Sequence, residues 1–192
     1  MRRFALSLAL AAMPVLAATP APAAPVIAAG PPIECIYNVL HKNDWPTLVK
    51  VVRQGITGVT NGEKMQVELI GSATERCRKQ YGWGKKRQDI AVRYFAGRVL
   101  SGDAVFNLKK YAIDHAQLEA LVARLDAPTK QAYVAGQVSN EQSAATFAAL
   151  DALGLGLDKV PAEERQAFAQ KLAQGVLGTI VAQEAEAAFA AA

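Results

Sequence analysis

The sequence predicts an all-α protein: a single compact bundle of about six to eight helices, stapled by one disulfide. Three observations predict it. Apolar residues recur at i, i+3, i+4 and i+7 along most of the chain, while β-branched runs with strict alternation are nearly missing. Capping residues, prolines and glycines punctuate those stripes at helix-length intervals. The chain also has only two cysteines, Cys35 and Cys77, behind what reads as an export signal, which points to one structural disulfide.

The export signal comes first. Arg2 and Arg3 form a positive start, Phe4 to about Val15 is an apolar run, and small residues mark a cleavage point after Ala17 or Ala23. The run contains Pro14 and is shorter than the roughly 20 residues a membrane span needs. Residues 1–23 therefore read as a cleaved secretory signal peptide, and the mature chain is expected in the periplasm or outside a bacterial cell. Pro-Ile-Glu before Cys35 lacks the small and aliphatic residues of a lipobox, so no lipid anchor is expected. Residues 24–32, dense in Pro and Ala, read as an extended spacer. Residues 33–192 form one domain, long enough to bury a core.

Within that domain each helix has its own warrant. Pro31-Pro32 opens a short one over about 33–41, with Cys35, Ile36, Val39 and Leu40 on one face. Asn43-Asp44 caps a second, which begins at Trp45-Pro46, turns Leu48, Val49 and Val52 inward, and stops at Gly55 and Gly58. The third, about 63–80, carries Met65, Leu69, Ala73 and Cys77 on a buried stripe. A Cys35–Cys77 bond would thus pin the first helix to the third. Tyr81-Gly82-Trp83-Gly84 breaks the chain, and a fourth helix over about 85–100 buries Ile90, Ala91, Tyr94, Phe95 and Val99. Ser101-Gly102-Asp103 reads as a break and cap, followed by a further helix over 104–113 whose periodicity is mixed.

Asp114 caps the next helix, with Leu118, Leu121, Val122 and Leu125 on its inner stripe. Asp126-Ala127-Pro128 ends that one and starts a short helix through Tyr133. Ser139 with Gln142 makes a capping box before a helix holding Ala144, Phe147, Ala148 and Leu150. Gly154 and Gly156 form a loop, and Pro161 with Glu163 and Glu164 starts the last helix. It runs past Phe168, Leu172, Val176 and Ile180, and its alanine-rich end from Ala185 is expected to fray. Gly175 and Gly178 inside it cost helix propensity, which points to a close helix–helix contact.

The formal net charge of +4 falls to +2 once Arg2 and Arg3 are removed. That total hides a split: cations dominate from Lys42 to Lys110, and acids outnumber them from Tyr111 onward. The densest stretch holds Arg76, Arg78, Lys79, Lys85, Lys86, Arg87, Arg93 and Arg98 with Asp89 as its one acid. Such like charges repel, and a surface helix ordinarily intersperses acids. The plainer reading is a solvated face, or one compensated by the acidic half of the chain. The functional reading is an anion-binding face for lipid head groups, lipopolysaccharide phosphates, acidic glycans or an acidic protein. Tyr81 and Trp83, set among glycines inside this stretch, are candidates for stacking on a sugar or base; the rival reading folds them over the helix ends.

Other chemistries find few residues. His41 and His115 are the only histidines, with no metal-ligand spacing, and no metal or other cofactor is expected. Phosphate-loop, zinc-finger and RNP-like patterns are missing, and export removes the chain from most nucleic acid. A serine-hydrolase elbow is missing too. The expected function is therefore a non-catalytic binding or structural role at the cell envelope. One alternative is a cell-wall glycan hydrolase using paired carboxylates, with Glu68 or Glu75 set against Asp89 or Asp103. The other is a helper subunit that docks another envelope protein through an apolar stripe along Phe168–Ile180.

Overall fold

The computed structural model describes residues 32–40, 45–54 and 64–192. The export signal, most of the spacer, His41, the Asn43-Asp44 cap and the Gly55 and Gly58 stops lie outside the described residues. A 3-10 turn at Pro32–Glu34 leads into α1 (Cys35–Leu40), which is followed by α2 (Trp45–Gln54), α3 (Lys64–Tyr81) and α4 (Lys85–Leu108). Then come α5 (His115–Arg124), α6 (Ala127–Ala135), α7 (Asn140–Asp151) and α8 (Arg165–Ala190). Among the described residues there is no strand. The Cys35–Cys77 disulfide is formed and ties α1 to α3.

The helix ends follow the chemistry of the punctuating residues. The Asp114 carboxylate accepts from the amides of Ala116 and Gln117, and that of Asp126 accepts from Thr129. Ser139 and Gln142 close a reciprocal capping box. α3 stops where Gly82 takes φ +64°, and the Trp83 amide then turns back to donate to the Arg78 carbonyl at 3.0 Å. This is the Schellman geometry that glycine permits without strain.

The two longest helices, α4 and α8, run antiparallel and form the axis of the molecule. Their contact is close because small residues line it. A Cβ placed on Gly97 would lie 2.7 Å from Ala182 N and 2.7 Å from Gly178 O. One placed on Gly178 would lie 2.5 Å from Ser101 N and 2.7 Å from Gly97 O. Backbone therefore rests on backbone here, as the glycines of the last helix led us to expect.

Two apolar cores flank this crossing. One gathers α1, α2, α3, the first half of α4 and the end of α8, around Ile36, Leu48, Cys77, Phe95 and Ala185. The other gathers the end of α4, α5, α6, α7 and the first half of α8, around Leu108, Leu118, Leu121, Leu150 and Leu172. Leu172, Val176 and Ile180 all belong to this second core and are buried.

Four expectations are corrected. Ser101-Gly102-Asp103 does not break the chain; α4 continues to Leu108. These small residues serve packing: Ser101 abuts Gly178, Gly102 faces the Trp45 ring, and Asp103 is tied to side chains of other helices. Met65 is 61% exposed, so the α3 stripe is buried only from its middle onward. In α7, Ala144 and Ala148 face solvent while Thr146 is buried, its hydroxyl accepting from Tyr133 at 3.1 Å. The end of α8 is not free, because Ala185 is buried and Phe189 packs edge-on against Trp83 at 5.5 Å.

Candidate functional site

The cationic stretch spans the last turns of α3, the Gly82–Gly84 turn and the first four turns of α4. Its aromatic pair is used internally. Trp83 is 2% exposed, stacked on Tyr81 at 5.8 Å and capped by Phe189, so its indole has no face open to a sugar or base. Tyr81 is half-buried in the same stack. The pair fixes the angle between α3 and α4 and closes α8 over the turn.

Four of the eight cations pair with a carboxylate. Arg78 binds Glu75 with two parallel bonds of 2.7 Å, and Lys79 lies 3.6 Å from the same carboxylate. The Arg78 bond, with the two positive charges, holds the Glu75 pKa down at about 2. Lys85 pairs with Asp89 at 2.6 Å, and Arg93 reaches Glu184 on α8 at 3.5 Å. Arg98 lies over the Tyr37 ring at 5.6 Å.

Arg76, Lys86 and Arg87 are exposed, and among the described residues none has a carboxylate within ion-pair distance. Arg87 lies over the Phe189 ring at 5.6 Å, which orients it without cancelling its charge. Lys85, Lys86 and Arg87 make up the first turn of α4, which contains no acid. Its cap, Gly84, has no side chain to accept from the first-turn amides. The positive end of the helix macrodipole thus coincides with three cationic side chains, where acids would be stabilising.

Sequence reasoning missed a second feature. A groove of about 700 Å³ runs between α2 and the last turns of α4, with Trp45, Pro46, Val49 and Phe106 as its apolar lining, Lys50, Gln54 and Asn107 beside them, and Arg53, Asp103 and Lys171 at its end. Phe106 is 82% exposed. The available signal was that Phe106 falls off the Ala104–Leu108 stripe, which the mixed periodicity of that segment obscured. At the groove's end the Asp103 carboxylate accepts from Arg53 at 2.9 Å, Lys171 at 2.7 Å and Gln174 at 2.8 Å.

Burial alone would raise the Asp103 pKa. The Lys171 and Gln174 bonds, with the charges of Lys171 and Arg53, outweigh burial and bring it below the usual carboxylate value. Because the folded-state pKa is depressed, the ionised carboxylate contributes stability that is complete above the unfolded value of about 3.9. That contribution is lost as pH falls through the lower folded value. Asp103→Ala should cost about 2 kcal/mol at neutral pH. The gap from wild type should close as urea denaturation is repeated below about pH 4.

Of the carboxylates considered for glycan hydrolysis, Glu68 is exposed on α3 and the other three are engaged by cations. Glu75 is held down by Arg78, Asp103 is held down by its cationic partners, and Asp89 is paired with Lys85. A general acid needs the opposite shift. His115 begins α5 and is half-buried in a small crevice with Ser101 and Glu119; burial, then the Arg98 charge, lowers its pKa. Among the described residues, no group of three or more His, Cys, Asp or Glu is placed to hold a metal. No described helix is long and apolar enough to cross a membrane.

No family model, curated protein or solved structure matches the chain.

Proposed function

We propose that this chain is an exported, non-catalytic binding or structural protein of the bacterial periplasm or cell exterior that meets an anionic envelope component through residues 76–98. The observation that carries the reading is the first turn of α4: three consecutive cations on an uncapped helix N-terminus. For folding alone that arrangement is unfavourable, since both the dipole and the neighbouring charges oppose it. A bound anion would relieve it. Phosphate suits such a position best, because exposed amides and cations then converge on the same group. Phosphate-bearing lipid head groups and lipopolysaccharide are therefore the favoured partners, ahead of acidic glycans and acidic proteins.

The test is to reverse Lys85, Lys86 and Arg87 to Glu. Binding to phosphatidylglycerol vesicles should weaken about tenfold or more, and wild-type binding should fall steeply with added salt. Acids on that turn suit the dipole and so offset the loss of the Lys85–Asp89 pair and the Arg87–Phe189 contact, and the variant should stay folded. Retained vesicle binding in a folded triple variant would remove the basic face from consideration.

A further inference from the structure

We propose that the groove between α2 and α4 binds a single-chain anionic amphiphile, a free fatty acid, with its alkyl chain along Trp45, Val49 and Phe106 and its carboxylate at Arg53. Three features of the groove select this chemistry. The first is its lining, to which Trp45, Pro46, Val49 and Phe106 bring large apolar side chains. Phe106 leaves most of its ring in water and adds it to that lining. The second is its end, where Arg53 and Lys171 share one carboxylate, Asp103, the only acid lining the groove among the described residues. Lys50 lines the groove as well, so cationic side chains outnumber the one acid there, which suits an anionic head group. The third is size: at about 700 Å³ the groove lies within the ~300–1,000 Å³ range of small-molecule sites.

The geometry of Arg53 fits the role. Its bonds to Asp103 and Gln174 are both made by Nη2. The other nitrogens of the fork supply donors for an incoming carboxylate, and Asp103 holds the guanidinium in place. A neutral ligand would leave the cationic end unused, and a polyanion would press charge against the apolar wall. Amphiphile binding here is independent of the proposed envelope contact, since the groove contains none of the cations of residues 76–98.

The experiment is calorimetric titration of the full chain with dodecanoate below its micelle concentration, set beside dodecanol, acetate and phosphatidylglycerol vesicles. Dodecanoate should bind saturably, one per chain, with dodecanol about tenfold weaker and acetate not detected. Phe106→Ser, at an exposed position that leaves the fold intact, should weaken dodecanoate about tenfold. Arg53→Gln should erase the preference for carboxylate over alcohol. The proposal is overturned if dodecanoate does not saturate, if Phe106→Ser binds as wild type does, or if acid and alcohol bind alike. Binding to vesicles without binding to dodecanoate would overturn it as well. So would loss of dodecanoate binding in a folded Lys85, Lys86, Arg87 reversal variant, which would place the ligand at the first turn of α4 instead.

Discussion

Gly178→Val should abolish the native fold or lower its stability by about 4 kcal/mol or more, the largest effect expected of any single substitution in this chain. The cause is the identity of the atoms in the way. A Cβ at position 178 would stand 2.5 Å from the Ser101 amide nitrogen and 2.7 Å from the Gly97 carbonyl, both backbone atoms of α4. A flexible side chain could rotate aside; a helix backbone moves only as a whole. Separating α4 from α8 would loosen both cores at once, because each core draws on both helices. Gly178→Ala, adding the Cβ alone, should already cost about 2 kcal/mol. Gly71 on α3 provides the control, since a Cβ there meets nothing within 4 Å. Gly71→Ala should stabilise by about 0.5–1 kcal/mol through helix propensity. Chemical denaturation followed by circular dichroism ranks the three, and a Gly178→Val protein as stable as Gly71→Ala would mean the two backbones are not in contact.

Second in size is loss of the disulfide. The cysteines are 42 residues apart in sequence, and opening a loop of that length should cost roughly 4 kcal/mol in the chain-entropy model. The helix it holds is poorly equipped to stay without it. α1 has six residues, too few to persist as an isolated helix. It nonetheless contributes the buried side chains of Ile36 and Leu40 to the first core. Cys35→Ala combined with Cys77→Ala should therefore lower the urea midpoint substantially and expose the α1 amides to hydrogen exchange first. Alanine avoids placing a hydroxyl where Cys77 is fully buried. If the double variant kept its midpoint and its α1 protection, packing alone would be holding α1.

Much of this architecture was legible before any coordinates. Asp114, Ser139 and the Tyr81–Gly84 turn act within a few residues of themselves, so local sequence determines what they do. The disulfide was legible because two cysteines in a chain expected to be exported leave one pairing. Ser101-Gly102-Asp103 was misread for a physical reason: the small residues that permit a chain reversal are also those that permit two helices to touch. Only the partner, 77 positions further along at Gly178 for Ser101, distinguishes the two uses.

Long-range charge pairing was hidden in the same way. Nothing near Arg93 announces Glu184, 91 residues away, and nothing near Asp103 announces Lys171. The cationic stretch therefore read as eight similar charges, whereas its members differ. Arg78 is locked to Glu75, Arg93 leans on α8, and Lys86 stands in water. Of the groove under Phe106 only that one off-stripe phenylalanine was legible, since the groove is formed by α2 and α4 only once both are folded.

The crossing at Gly97 and Gly178 also gives partial unfolding a direction. The covalent tie lies wholly on one side of that waist, among α1, α3 and the first half of α4. The assembly of α5, α6 and α7 on the other side has no such restraint. Thermal fluctuation should consequently release the molecule from the α5–α7 layer inward, leaving the cross-linked portion as the last cooperative unit to dissolve.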